Sequence, residues 1–528
     1  MEAFNDDELN IPNSSGSGVQ SPEGLLYLTS VFKKKAPLEA NTQTGMLTLT
    51  GKGSALGREG LDLVAVLDVS GSMRTDPGDK MGKMKLAMQF LIKKLSDIDR
   101  LSIIVFSDTA ARKFPLGVMT DAYKTSLLQY ISSLYGDGNT NITDGIQKAV
   151  RVLDDRRLSG DRTTCIMLLS DGHENIPGAN AAAVKIDRYT VHTFGFGKDH
   201  DAKLLSAVAR NGKPGGTFHF VRDGEDLTAP FSQVVAGLLT TRVRDLVLKV
   251  KPKGTGVTLT VDEPAAYKFL NPPNRQTGEV SIGFGDLSID ESRSIIVRLS
   301  LPAVAKEKKN PSFYLEATYS YSSQGGFDAP PAKYAPMSRI GQADQDDSSP
   351  SDKREVRIEL GRQNHARLIS DARVMVDAGN QAGALLALQE AQNKLEDLPQ
   401  QAAMMVDMLR VELVELITLV NQGLTSECLA YALAAESSHA CQRFASRGDA
   451  KAVRLFCTPR MDTYLDQATK FAVEPEAPLP TDGDDVKTEL AANPLAPFTG
   501  PIAYHIGEAI RSLQAVQSLL LEGAAGDK

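Results

Sequence analysis

The sequence predicts an α/β fold in its first half, a doubly wound parallel sheet, with β-rich and then helical segments after it. Between residues 61 and 240, apolar runs of strand length alternate with helical patterns. From 245 to 321 the segments are short, β-rich and separated by Gly and Pro. After about residue 353, apolar residues recur at helical spacing. Alternation of strands and helices favours right-handed crossovers, and therefore a parallel sheet covered by helices on both faces.

The α/β segment contains five predicted strands and five predicted helices. The strands are 61–67, 101–106, 164–170, 190–196 and 217–221. The helices are 84–95, 122–134, 142–153, 202–209 and 226–239. Ligands of such sheets bind outside the carboxyl ends of the strands. Side chains that follow those ends are therefore candidates for a binding site.

Oxygen-bearing side chains follow two of the predicted strands and precede one of the helices. Asp68, Ser70 and Ser72 come directly after the first strand. Thr140 lies just before the third helix, and Asp171 comes directly after the third strand. Hydroxyl and carboxylate oxygens suit a hard divalent cation such as Mg²⁺. Because a parallel sheet gathers these loops at one edge, the five residues predict a metal site.

In order and spacing, these residues resemble the metal-ion-dependent adhesion site of von Willebrand factor A domains. The resemblance covers the α/β segment and implies a Rossmann-like fold. It implies that Ser70, Ser72 and Thr140 contact the cation, while Asp68 and Asp171 supply charge and orient water. It also implies one open position on Mg²⁺, or on Mn²⁺ in its place, for an acidic side chain of a protein partner.

Three other interpretations of the sequence are weaker. An isolated Asp-x-Ser-x-Ser is more often a turn or a helix N-cap, and only the added Thr140 and Asp171 favour a metal. A subtilisin-like hydrolase needs a catalytic His and a nucleophilic Ser, and neither His173 nor His192 has such partners in the sequence. The run 78–83 is one residue short of a phosphate-binding loop and lacks the following Ser or Thr. No catalytic or nucleotide site is predicted.

Composition argues against several classes of function. The chain has 528 residues, more than a single core usually supports, so several domains are expected. Its net charge of −8, from 66 acidic and 58 basic residues, argues against a general binder of nucleic acid or anionic membranes. No apolar stretch approaches the roughly 20 residues of a membrane span. Neither a nucleic acid nor a membrane is expected as a partner.

The cysteines and the first residues predict the compartment. The chain has four cysteines, and Cys165 lies in a predicted buried strand, which is typical of free thiols in a reducing compartment. The spacings of Cys428, His439, Cys441 and Cys457 fit no compact zinc pattern, so no zinc site is predicted. The first residues are acidic and lack the apolar core of a signal peptide. A cytoplasmic protein is expected, with the nucleus as the alternative.

Composition and the strand and helix patterns divide the chain into six regions. Polar and Gly/Ser-rich residues predict disorder at the start, and a polar, Pro-containing stretch predicts a linker before the helices. The β segments on either side of the α/β segment predict one antiparallel sandwich, so that the von Willebrand A domain is inserted in it or followed by it. The regions are 1–22 (disordered), 23–60 (β segments of the sandwich), 61–241 (von Willebrand A domain), 242–322 (β-sandwich), 323–352 (linker) and 353–528 (α-helical).

The order of these parts resembles plant intracellular von Willebrand A proteins, several of which carry a RING finger and act as ubiquitin ligases. A RING needs about eight Cys and His ligands, and residues 1–60 contain none. The layout also resembles the heavy chains of inter-alpha-trypsin inhibitor, which are secreted. We therefore predict a non-enzymatic, Mg²⁺-dependent module or scaffold that binds an exposed Asp or Glu of a partner protein. The alternative is a non-RING subunit or regulator of a ubiquitin-ligase complex.

Overall fold

The fold was analysed in a computed structural model, which describes the chain in nine stretches. These are residues 4–5, 24–74, 79–160, 162–262, 266–271, 278–323, 326–328, 332–341 and 350–495. Most of the predicted disordered segment 1–22 and the end of the helical region therefore lie outside the described residues. Within that first segment, Phe4 packs against the guanidinium groups of Arg112 and Arg151, 4.2 and 5.0 Å from its ring centroid.

Three strands precede the α/β domain, whose strands form one six-stranded sheet in the order β6-β5-β4-β7-β8-β9. The first strands are β1 (Leu26–Val31), β2 (Lys35–Pro37) and β3 (Asn41–Gly51). The strands of the domain are β4 (Leu61–Asp68), β5 (Arg100–Phe106), β6 (Ala110–Val118), β7 (Thr163–Ser170), β8 (Thr190–Phe196) and β9 (Phe218–Val221). Its helices are α1 (Lys80–Lys94), α2 (Asp121–Ser133), α3 (Ile142–Asp154), α4 (Ala202–Asn211) and α5 (Thr228–Leu239).

The predicted α/β fold is confirmed, but the sheet is mixed and not purely parallel. Strands β4, β5, β7, β8 and β9 pair in parallel, and every residue of β4 is buried, as expected when helices cover both faces. The edge strand β6 runs antiparallel to β5. The sequence analysis missed β6 because it is only partly buried and contains Pro115, which an edge strand tolerates.

Two further sheets are built from β-rich segments on both sides of the α/β domain. The strands after it are β10 (Thr241–Pro252), β11 (Thr258–Val261), β12 (Lys268–Asn271), β13 (Val280–Ser288), β14 (Ser292–Leu301), β15 (Lys308–Ser323), β16 (Gly326–Asp328) and β17 (Lys333–Ile340). One sheet has the order β1-β3-β14-β11, and the other has the order β12-β13-β10-β15-β17-β2, with β16 beside β15. Side chains of both sheets belong to one hydrophobic cluster. The sandwich itself stays a prediction.

The N-terminal strands are integral to these sheets. Strand β3 pairs antiparallel with β14 along its length, and β2 pairs in parallel with β17. Strand β17 lies inside the predicted linker 323–352, where the sequence analysis placed no strand. Its buried Ala335 and Met337 alternate with the exposed Tyr334 and Pro336, so the segment has the period of a half-buried strand.

The C-terminal helices cover both faces of the α/β domain. They are α6 (Pro350–Asp377), α7 (Gln381–Glu396), α8 (Ala403–Asn421), α9 (Thr425–Cys441), α10 (Pro459–Val473) and α11 (Asp482–Ala492). Apolar residues of α6 to α9 share a core with one face of the sheet. On the other face, Tyr464 and Phe471 of α10 make edge contacts with Phe90 of α1. The helical region was correctly predicted, and its helices α6 to α9 pack on one another as well as on the α/β domain.

A buried glutamate joins three of these helices. Glu412 of α8 accepts hydrogen bonds from Nε2 of His365 (2.9 Å) and of His439 (3.0 Å) and from the Arg447 guanidinium. Burial alone would raise the pKa of Glu412, but Arg447 and the imidazoles hold it well below its usual value. The Glu412 carboxylate is therefore a charged, fully buried link between α6, α8, α9 and the segment that follows α9.

Replacing this glutamate should destabilise the whole fold. We expect Glu412→Gln to lower the free energy of unfolding by about 3–5 kcal/mol, since the buried Arg447 would lose its counter-ion. Denaturant titration followed by circular dichroism measures this change. The control is Glu415→Gln on the same helix, where the Arg222 ion pair is partly exposed and a change of about 1 kcal/mol or less is expected. Equal effects of the two substitutions would contradict the assigned role of Glu412.

Candidate metal centre

Three loops meet at the carboxyl edge of the α/β sheet and bring the predicted site residues together. Asp68 ends β4, and Ser70 and Ser72 follow it in a tight turn. Because β4 and β7 are parallel neighbours, with Leu67 opposite Leu169, the residue after β7 arrives beside Asp68. That residue is Asp171. The sheet topology therefore places two carboxylates at one position on its edge.

A chain of hydrogen bonds connects the serines to Asp171. The hydroxyl oxygens of Ser70 and Ser72 lie 2.9 Å apart, and the Ser72 hydroxyl donates to Oδ1 of Asp171 at 2.7 Å. Ser70 and Asp171 are buried, and Ser72 is partly exposed at the edge. These contacts orient three oxygen-bearing side chains toward one another.

Asp68 is fully buried and held on both carboxylate oxygens. Its Oδ1 accepts from the Ser70 amide at 2.8 Å, and its Oδ2 accepts from the Ser170 hydroxyl at 2.6 Å. Burial and the nearby charge of Asp171 raise the pKa of Asp68 to about 6. Two carboxylates this close are therefore costly at neutral pH unless a cation compensates them.

Thr140 reaches the same gap from the loop before α3. Its amide donates to Oδ1 of Asn175 at 2.8 Å, which fixes the loop. A Cβ atom built on Gly172 would lie 3.3 Å from Oγ1 of Thr140 and 3.5 Å from Oγ of Ser72. Both hydroxyls therefore face the same space, which a side chain on Gly172 would fill.

The donor set fits a hard divalent cation. Three hydroxyl oxygens and two carboxylates converge within one gap, and none of the five residues offers nitrogen or sulfur. Ser70, Ser72 and Thr140 would hold the ion directly, while Asp68 and Asp171 would contribute charge and orient water. Such an ion would act as a Lewis acid that binds an anionic oxygen. Asn139 and His173, which adjoin Thr140 and Gly172 in the chain, are exposed.

One residue at this edge was not found by the sequence analysis. The Lys80 ammonium, in the first turn of α1, lies 2.7 Å from Oδ2 of Asp171. Lys80 belongs to the run 78–83, which is one residue short of a phosphate-binding loop. No local pattern relates it to Asp171, because the two residues are 91 positions apart in the chain. His173 stays largely exposed, with Nδ1 3.7 Å from Asp201.

The Glu412 cluster also brings together groups that could bind a metal, but their hydrogen bonds disfavour one. His365, Glu412 and His439 are the one such group found among the described residues. Nδ1 of His439 faces Arg362 Nη1, a donor, at 3.2 Å, which leaves its Nε2 to carry the proton given to Glu412. That nitrogen then has no lone pair for a metal. Cys428, Cys441 and Cys457 do not take part in this cluster.

Comparison with known families identifies the α/β domain. The von Willebrand factor type A domain family matches residues 62–233. The described strands and helices agree with this match, so the chain contains a von Willebrand factor type A domain. Domains of this family typically mediate protein–protein interaction. The predicted domain type is thereby confirmed, whereas the metal and its ligands stay predictions.

Plant proteins are among the similar sequences. E3 ubiquitin-protein ligase WAV3 of Arabidopsis thaliana is 30% identical over 256 residues, which cover 47% of this chain and 32% of WAV3. Probable E3 ubiquitin-protein ligase WAVH2 of the same plant is 30% identical over 254 residues, covering 46% of this chain and 33% of WAVH2. The chain thus matches about a third of the length of these relatives.

A solved structure supports the fold beyond the family match. The von Willebrand factor type A protein from Catenulispora acidiphila superposes with a TM-score of 0.58 at 19% sequence identity. The superposition covers 74% of this chain and 91% of that one. At this identity the likeness shows the fold alone. In the part of the chain that the structure describes, no helix is long and apolar enough to cross a membrane.

The prediction that the chain is not an enzyme is wrong by this comparison. Three Arabidopsis relatives bear the name of E3 ubiquitin-protein ligase, one of them as a probable ligase. The prediction rested on the absence of Cys and His from residues 1–60, which excludes a RING from that segment only. The absence of a RING from residues 1–60 therefore does not exclude ligase activity.

The buried carboxylate pair gives a pH-dependent prediction. The pKa of folded Asp68, about 6, exceeds its ordinary value of 3.8, so folding favours the protonated form. The wild-type protein therefore loses stability as the pH rises through about 6. With metal removed by EDTA, Asp68→Asn should raise the free energy of unfolding by about 1–3 kcal/mol near pH 7.5 and by roughly half as much near pH 5, which lies between the folded and the ordinary pKa of Asp68.

The control for this prediction is Asp62→Asn. Asp62 is also fully buried, but it pairs with Arg100 at 2.6 Å, so its neutralisation should be destabilising. Thermal unfolding in EDTA at the two pH values measures both variants. If Asp68→Asn loses as much stability as Asp62→Asn, the negative charge of Asp68 is already neutralised by groups of the protein, and the prediction is wrong.

Proposed function

We propose that the protein binds a partner protein through a divalent metal ion at the carboxyl edge of its von Willebrand A domain. Ser70, Ser72 and Thr140 hold the ion, and Asp68 and Asp171 balance its charge. An Asp or Glu side chain of the partner completes the coordination, because an open position on Mg²⁺ selects a hard anionic oxygen. Mn²⁺ substitutes for Mg²⁺, since both accept the same oxygen ligands.

One observation carries this proposal. The hydroxyls of Thr140 and Ser72 come from separate loops, yet both lie within 3.5 Å of the point where a Cβ on Gly172 would sit. Ser72 also links Ser70 and Asp171 by hydrogen bonds. A helix cap or a turn would explain hydroxyls within one loop, but not the convergence of three loops on one gap.

Removal of the hydroxyl ligands should abolish metal-dependent binding without unfolding the protein. Thr140→Ala and Ser72→Ala each remove one hydroxyl and no large core side chain, so each should cost about 1–2 kcal/mol of stability and leave the fold intact. We expect each to reduce Mg²⁺-dependent capture of partners from native extract to the level seen in EDTA. The measurement is a pulldown with the full chain in Mg²⁺, Mn²⁺ or EDTA, followed by identification of the bound proteins.

A matched control separates ligand loss from a general effect of mutation. Thr125 lies on the exposed face of α2, and its hydroxyl bonds only its own helix, to the Asp121 carbonyl at 2.8 Å. Thr125→Ala should therefore bind partners as the wild type does. If the wild type captures partners as well in EDTA as in Mg²⁺, and Thr140→Ala captures them as well as the wild type does, the domain binds through another face.

We also propose that the chain takes part in ubiquitin ligation as the region that holds the target protein. The support is the 30% identity to WAV3 over 256 residues, which cover 47% of this chain. In this proposal the metal edge binds an acidic residue of the target. The four cysteines, of which Cys165, Cys428 and Cys441 are buried and none forms a disulfide, support a reducing compartment, the cytosol or nucleus.

Ubiquitin conjugation to captured targets should depend on the metal edge. The full chain is incubated with native extract, ATP and tagged ubiquitin, and conjugates on the co-precipitated proteins are measured. The Thr140→Ala variant replaces chelation here, because ATP-dependent activation of ubiquitin itself needs Mg²⁺. We expect conjugates with the wild type and with Thr125→Ala, and at least a tenfold loss with Thr140→Ala, a ratio that corresponds to about 1.4 kcal/mol. Equal conjugation in all three would contradict this role.

A further inference from the structure

Lys80 places a fixed positive charge inside the candidate metal centre. The preceding residue, Asp79, caps α1 by accepting from the Gly82 amide at 3.0 Å, which sets the start of the helix at the sheet edge. From there the Lys80 side chain extends to Asp171, with its ammonium 2.7 Å from Oδ2. The Lys80 side chain is only 14% exposed, and that of Asp171 is fully buried. A pair so shielded from water is not a screened surface contact.

A second carboxylate lies near the same ammonium. A Cβ atom built on Gly197 would be 3.1 Å from Nζ of Lys80 and 2.7 Å from Oδ1 of Asp223. Gly197 has φ of +77°, so a side chain is disfavoured there for the backbone as well as for space. The Lys80 ammonium therefore contacts Asp171, which belongs to the metal centre, and lies near Asp223, which does not.

The Lys80 ammonium changes the net charge of the candidate metal centre. Asp68 and Asp171 together carry two negative charges, which a divalent ion alone would neutralise. With the Lys80 ammonium included, the same ion leaves one positive charge in a largely buried site. Asp223 is exposed, so water and salt screen its charge far more than those of the buried groups. A single carboxylate from outside would restore neutrality, and a site of low dielectric favours that balance strongly.

We propose that Lys80 is a tethered counter-ion that makes metal binding and acidic-partner binding depend on each other. Without metal, Lys80 neutralises Asp171 and competes with a divalent ion for its carboxylate. When metal binds, the ammonium gives up Asp171 but stays at the same edge of the sheet, because α1 holds its backbone there, and the centre carries one excess positive charge. The partner's Asp or Glu supplies the missing negative charge. This inference rests on the proposed metal-dependent function. It explains why the metal centre would prefer an acidic side chain of the partner.

The test measures metal affinity directly, with Mn²⁺ as the probe. Free and bound Mn²⁺ are distinguished by electron paramagnetic resonance during titration of the full chain, with and without acetate as a minimal carboxylate. The variants are Lys80→Met, which removes the charge and keeps the stem, and Lys80→Arg, which keeps the charge. Lys83→Met, one turn further along α1, removes a lysine that is not paired with Asp171.

We expect Lys80→Met to bind Mn²⁺ at least tenfold more tightly than the wild type, and Lys80→Arg and Lys83→Met to stay within about threefold of it. Acetate should strengthen Mn²⁺ binding to the wild type more than to Lys80→Met. Because Lys80→Met leaves Asp171 buried without its counter-ion, Mn²⁺ should also raise the unfolding midpoint of this variant more than that of the wild type.

The outcomes separate this inference from the proposed function. Mn²⁺ affinity that is equal or weaker in Lys80→Met than in the wild type overturns the role of Lys80 and leaves the metal site standing. An equal gain in Lys83→Met also overturns it, since any nearby lysine would then act alike. If neither the wild type nor any variant binds Mn²⁺, both the metal site and the role of Lys80 are wrong. If Lys80→Met fails to fold, Lys80→Gln is titrated against the same expectation.

Discussion

Two carboxylates buried side by side at the end of a parallel sheet are the constraint on which the candidate site depends. Backbone pairing of β4 with β7 fixes their proximity, and neither side chain can turn to water, because both are fully buried. Burial, together with the neighbouring charge of Asp171, raises the pKa of Asp68 to about 6. The fold keeps the pair only because hydroxyls, a backbone amide and the Lys80 ammonium surround it. In the proposed function, a metal ion balances the two carboxylates further, and a carboxylate of the partner balances the remaining positive charge.

Buried charge also determines how the C-terminal helices are attached. Arg58, before β4, pairs with Asp99 at 2.6 Å and with Asp482 of α11 at 2.8 Å. Lys94 of α1 pairs with Asp485 of α11 at 2.8 Å. Such pairs contribute little net stability, but breaking one leaves an uncompensated charge, so they allow few alternative arrangements. The helices are thus tied to both faces of the domain, while Asn139 and His173 at the metal edge remain exposed.

Local pattern was enough to predict most of the α/β domain and all five candidate ligands. The strands appear as apolar runs because both faces of the sheet are covered, and the ligands follow strand ends because loops start there. The edge strand β6 and strand β17 were missed, because Pro115 and the Pro-containing surroundings of β17 obscure their alternation. Helix α11 begins at a capping box formed by Thr481 and Asp484. This pattern is visible in the sequence, but no helix was predicted from it.

By itself, then, the sequence determined the order of strands and helices and the five oxygen-bearing residues, because hydrophobic period and motif spacing are local properties. Only the tertiary structure decided which charges meet. Lys80 and Asp171 are 91 residues apart, and Glu412 draws His365 and His439 from 47 and 27 residues away. The position of each of these groups is set by how its helix packs on the sheet. Packing of that kind is a property of the assembled core, and no short window of sequence contains it.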